Sequence, residues 1–249
     1  FSPVVLALLL MGASPQESRF TPEADWDVLG QVLVQDGGRR KPLEAFAREK
    51  LWRIVGSQTW EGQSPVCTLF SMCFDPGWDH ERVLKAGHPE LVRLLKADPE
   101  KKRVSLEDLG SEPFERLMDS AERKVKEERT ALDRAVLDLA DRAITLRELP
   151  NHLRVLPSGK TRWLAMGESP DGRGPVPSSY IHANNAFAAM AGAWTRGDPA
   201  GFSAASRDWA SACADAAAVE RAELAGKIPL ERGYYRLQPF RWALGMYFV

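Results

Sequence analysis

Reactive side chains are few and scattered in this sequence. The four histidines, His80, His88, His152 and His182, form no HxxxH or HExxH pair that would set two metal ligands on one helix face. The three cysteines, Cys67, Cys73 and Cys213, include no CxxC pair. Cys67 and Cys73 are six residues apart, about 600° of rotation at 3.6 residues per turn, so on one helix they project from different faces. They read as small buried hydrophobes that are not bridged to each other. No GxSxG elbow or Walker loop occurs, and no catalytic residue is assigned. Residues 33–49 (LVQDGGRRKPLEAFARE) stand apart. Here Arg39, Arg40 and Lys41 come directly before a proline-started helix, where the peptide dipole is already positive. Cations in that place need partners. These are either acidic side chains that fix the turn, or an anion held with the help of free backbone N–H groups.

Stepping outward from this segment, the sequence reads as mainly helical with one small β component. Residues 28–34 alternate as a short strand that ends at Asp36-Gly37-Gly38. Pro42 suits the first turn of a helix, in which Leu43, Phe46, Ala47, Leu51, Ile54 and Val55 are spaced for one face and Gly56 acts as the stop. Further helices are predicted over 65–74, closed by Asp75-Pro76-Gly77, and over 88–95. Ser105-Leu-Glu-Asp is a capping box. A long helix or helical hairpin follows over 112–149, striped by Phe114, Met118, Ala121, Val125, Leu132, Val136, Leu139, Ala143 and Leu146. Its charged middle, 122–129 (ERKVKEER), reads as a solvated face or projecting hairpin. Residues 153–156 and 161–166 form a β-hairpin. Residues 167–179 are loop, and two alanine-rich helices follow over 180–195 and 199–224, the second begun by Asp198 and Pro199.

Composition bounds the partners. With 33 basic and 34 acidic residues, interleaved rather than blocked, no field favours nucleic acid. The apolar run at 4–11, then Gly12, Ala13 and Ser14, predicts a signal-peptide or membrane-anchor remnant over 1–14, with a polar linker over 15–27. Residues 239–249 (PFRWALGMYFV) grow steadily more apolar. With Tyr234 and Tyr235 before them, they read as the aromatic approach and start of a membrane helix, and the flanked body, 28–238, as an extracytoplasmic helical domain.

The segment 33–49 resembles the VQ-x-GGR-x-KPL-[DE]-T-FAR pattern of system II cytochrome c biogenesis proteins of the CcsA/ResC type. Val34, Gln35, Gly37, Gly38, Arg39, Lys41, Pro42, Leu43, Glu44, Phe46, Ala47 and Arg48 match it, and Ala45 stands where threonine is usual. Gly197-Asp198, Phe202, Glu231, Tyr235, Gln238-Pro239-Phe240 and Tyr247 resemble that family's approach to the first membrane helix of its haem-handling core. The resemblance implies an accessory domain outside the bacterial inner membrane, on a parent that delivers haem and attaches it to apocytochrome c. It further implies a ResB-like subunit or apocytochrome c as partner, and contact with the membrane through the flanking segments. The family's WGxxWxWD haem segment is absent, so no haem or metal is assigned to this chain. Gln35, Gly37, Gly38, Arg39, Lys41 and Pro42 are the candidate binding or docking residues. Two other classes stay open: a periplasmic scaffold or interaction domain unrelated to haem, and an enzyme with an anion site near Arg39 to Lys41.

Overall fold

The structure is a computed structural model, and it describes residues 22–158, 161–170 and 176–237. It is mainly helical with small antiparallel hairpins. The first elements are α1 (Trp26–Leu29), β1 (Leu33–Asp36), β2 (Arg39–Pro42), α2 (Leu43–Val55) and α3 (Pro65–Phe74). Next come β3 (Leu84–Lys85), α4 (Pro89–Leu94), β4 (Arg103–Val104), α5 (Leu106–Leu109), α6 (Glu112–Arg123) and α7 (Ala131–Arg147). The remainder are α8 (Leu149–His152), β5 (Arg154–Ser158), β6 (Arg162–Ala165), α9 (Ser178–Arg196), α10 (Pro199–Ala216), α11 (Ala218–Leu224) and α12 (Lys227–Leu237). No helix among the described residues is long and apolar enough to cross a membrane. The terminal assignments, 1–14 and 239–249, lie outside the described residues, as does most of the linker.

The chain divides into two compact units. One contains Lys50–Gln63 and Thr68–Leu149. In it Trp78 is buried, donates its indole N–H to Ser71 Oγ at 2.9 Å and meets Trp60 edge-on at 6.0 Å. Gly56 ends α2 with φ +75°, as its position as helix stop predicts. Of the two alternatives for 112–149 the structure forms the helical hairpin, α6 and α7, with the charged run 122–129 at the end of α6 and in the connection. The break has a local cause. Thr130 caps α7 in a capping box with Asp133, so a helix starts here rather than continues. Val125 therefore leaves the apolar stripe and is exposed.

The other unit contains the described residues up to Glu49, Ser64–Cys67, and those from Pro150 onward. The strand expected at 28–34 is corrected. Asp25 accepts a hydrogen bond from the Val28 N–H and starts α1, so pairing begins only at Leu33. Pro42 is not the first helical residue but the last of β2, opposite Leu33. The lack of an N–H is tolerated at a strand end, and α2 begins one residue later. α9 and α10 fold back on each other through Gly197, with Asp198 capping α10. Trp194 meets Phe202 at 5.5 Å and Phe187 meets Trp209 at 6.0 Å. The helix predicted to run unbroken to Leu224 instead breaks at Ala217, which is buried against Leu33 and Trp163. All three cysteines are free. Cys67 and Cys213 are buried, and burial pushes the Cys67 thiol up to about 11.

Candidate functional site

Gly37 and Gly38 both have positive φ (+56° and +78°), and Asp36 pairs with Arg39 across them. That is a two-residue turn whose twist matches the strands, and residues with a Cβ resist it at both positions. The turn makes the second β-hairpin that the sequence reading lacked. Tertiary pairing, not strand propensity, holds Arg39–Pro42 extended.

Alternation along the strands then sorts the side chains onto two faces. Val34, Asp36, Arg39 and Lys41 share one. On it the Lys41 ammonium, almost fully buried, donates to Asp36 at 3.0 Å and to Glu49 of α2, and Arg39 donates to Glu231 of α12. Leu33, Gln35, Arg40 and Pro42 share the other. There the Gln35 amide donates to the Thr161 carbonyl at 2.9 Å and accepts the Trp163 N–H at 3.0 Å, clamping the hairpin to β6. Arg40 reaches Glu223 of α11 at 3.2 Å.

The first turn of α2 adds a second knot. Glu44, the acidic position of the KPL-[DE] pattern, accepts from Arg48 at 3.0 Å and from Arg232 at 2.9 Å, and Arg232 also reaches Asp27 at 3.0 Å. Tyr235 donates its hydroxyl to Glu49 at 2.5 Å. On α12, Glu231, Arg232 and Tyr235 lie within one turn on the side facing the hairpin, and Ile228 packs against the Leu33–Trp163–Ala217 cluster. Ion pairs and apolar contact together latch α12 onto the hairpin and α2.

The electrostatics suit a latch. Burial pulls the Lys41 ammonium down, but its hydrogen bonds to Glu49 and Asp36 outweigh this and leave it raised, hence charged. Burial, reinforced by Glu49, pushes the Glu231 carboxyl up against the pull of Arg39. The Tyr235 phenol is also raised, by burial and by its bond to Glu49, so it stays a donor. Nor are the first two N–H groups of α2 open to an anion. Those of Leu43 and Glu44 donate to the carbonyls of Val32 at 2.7 Å and Gly30 at 3.1 Å. Arg39, Arg40 and Lys41 each have a carboxylate partner, which favours the turn-fixing alternative over an anion site.

Gln35, Gly37, Gly38, Arg39, Lys41 and Pro42 thus sit together on one hairpin. Most of their partners carry no local signal in the sequence. Glu231 lies 192 residues from Arg39, and only its place in the C-terminal resemblance marked it. Glu44 and Arg48 had a local signal, their i,i+4 spacing. The histidines stay apart: His80 is exposed beside Glu107 at 3.0 Å, and His88 caps α4. Among the described residues no three His, Cys, Asp or Glu side chains converge as a metal-binding set. No protein-family model matches this chain, and a search of curated proteins finds no match.

Proposed function

We propose that this chain is the accessory extracytoplasmic domain of a cytochrome c assembly protein of the system II type. In this reading it sits on the outer face of the bacterial inner membrane, its parent carries the haem chemistry, and a ResB-like subunit or apocytochrome c is its partner. One observation carries the reading. The two segments that hold the resemblance, 33–49 and 231–235, are far apart in sequence yet bound directly to each other, through Arg39–Glu231 and Tyr235–Glu49. A domain that organises the outside of a membrane core needs its last helix fixed to its body, and the latch supplies that fixation.

The test is in-frame removal of residues 28–238 from the parent gene, followed by haem staining of c-type cytochromes and fractionation of the parent protein. Severe loss of covalently attached haem, with the parent retained in the membrane fraction, is the expected result. Normal cytochrome c levels, or a parent absent from that fraction before the deletion, overturn the reading.

A further inference from the structure

We infer that a groove beside α1 and α10 is a docking site for an acidic peptide segment of another polypeptide. The groove lies wholly within the unit that carries the latch but uses different side chains, so the inference stands whether or not the functional reading holds. Along α10, Arg207, Ala210, Ser211 and Ala214 recur at three- and four-residue steps and form one stripe. The two alanines keep that stripe low. Val28 and Val32 make the opposite apolar wall, and Val28 is 45% exposed.

Charge identifies the occupant. In this unit Arg39, Arg40, Arg48 and Arg232 each meet a carboxylate. Arg154, Arg196, Arg207 and Arg221 meet none among the described residues, and of these Arg207 and Arg221 lie together on the groove. The chain has acids enough to pair them, with 34 acidic residues against 33 basic ones. Guanidinium groups are matched in shape and charge to carboxylates, which they bind through paired N–H donors. Gln31 and Ser211 add polar groups beside them. The wanted ligand is a carboxylate next to an aliphatic group.

The open edge of the groove then favours a chain over an enclosed small molecule. The groove measures about 270 Å³, and Arg207 and Ser211 are exposed at its edge. Pockets that enclose a small molecule typically run from about 300 to 1,000 Å³ and cover most of it. This one has room for one acidic and one aliphatic side chain of a longer segment, whose backbone stays outside.

The experiment is titration of the ¹⁵N-labelled chain, followed by amide shifts, with three probes: the blocked peptide ALELAG, its neutral counterpart ALQLAG, and hexanoate. With ALELAG the shifts should centre on Gln31, Ser211 and Ala214, and ALQLAG should bind clearly less tightly. Arg207→Gln and Arg221→Gln, both surface changes, should each weaken ALELAG about fivefold, the upper range for an exposed ion pair, while their spectra remain folded. Equal binding of ALQLAG, shifts centred elsewhere, or no saturable binding of ALELAG overturns the inference. Hexanoate binding as tightly as the peptide also overturns it, and makes the groove a small-carboxylate pocket.

Discussion

In the β1–β2 hairpin, Lys41 has only 5% of its side chain exposed, and Glu44 on the adjoining α2 only 7%. On α6 the Arg116–Glu112 pair has a comparable separation, 2.7 Å, but its side chains are 67% and 76% exposed. The two hairpins are similarly rich in ions and use them differently. In the first, local partners such as Asp36, Glu49 and Arg48 are joined by Glu231 and Arg232 from far along the chain, and removing a buried member strands another charge out of water. In the exposed pair on α6 the partner comes from the next turn of the same helix, and water replaces a lost partner at once. Distance between charges therefore says little about what a pair does, whereas burial and the origin of the partner say a great deal.

Glu44→Ala should show the largest effect. It removes the acceptor shared by Arg48 and Arg232, whose side chains are 12% and 15% exposed, and leaves both guanidinium groups poorly solvated. Breaking such a buried pair costs about 3 kcal/mol, to be read from urea denaturation followed by tryptophan fluorescence. A loss below about 1 kcal/mol, the range of an exposed pair, would erase the contrast between the hairpins. A large cost would not make the network a net source of stability, because a well-packed apolar replacement of all its members can do as well. What the network does visibly is join α12 to the hairpin and α2.

The same contrast explains what was legible in the sequence. Signals confined to one or two turns carried through: α3 at Pro65–Phe74, the Gly56 stop, the Ser105 capping box and the Asp198-Pro199 start. Features set by remote contacts did not. Arg39–Pro42 has poor strand propensity, and beyond its local turn the hairpin is anchored by contacts to Thr161, Trp163, Glu223 and Glu231. The break at Ala217 has no local breaker and is fixed by packing on Leu33 and Trp163. At the candidate site the need for a negative partner, acidic side chains or a bound anion, is readable from three cations beside a helix start. The identity of Glu223 and Glu231 is not, since no local rule connects positions so far apart. Over 112–149 the continuous apolar stripe leaves a long helix and a helical hairpin both open, and the Thr130–Asp133 capping box decides for the hairpin.

A middle-sized effect belongs to that start. Thr130→Ala should cost about 1 kcal/mol, the usual worth of an N-cap. Asp133, which closes the box, is held by Lys124 and then by Thr130, and its carboxyl falls from 3.8 to about 2. A lowered folded-state value means the ionised form is favoured by folding. The stabilisation is therefore present above the unfolded value and lost as pH falls through the folded one. The stability gap between the native chain and Asp133→Asn should accordingly narrow between pH 3.8 and about 2. A gap constant across that window would mean that Asp133 acts by shape and not by charge.

Arg116→Ala should show the smallest effect, and it sharpens the comparison by bounding it from below. Arg116 and Glu112 are four residues apart on α6, the spacing that brings side chains together on a helix surface. Coulomb attraction there acts through water, and fixing two long side chains costs rotamer entropy of similar size. Glu112 also lies in the first turn, where its charge favours the helix dipole without any partner. Alanine is in addition a slightly better helix former than arginine, which offsets part of the lost pair. The expected change is within about 0.5 kcal/mol in either direction, and it should shrink further when salt is raised. A cost near that of Glu44→Ala, insensitive to salt, would show that this exposed pair is shielded from water in solution, and burial would no longer separate the two hairpins.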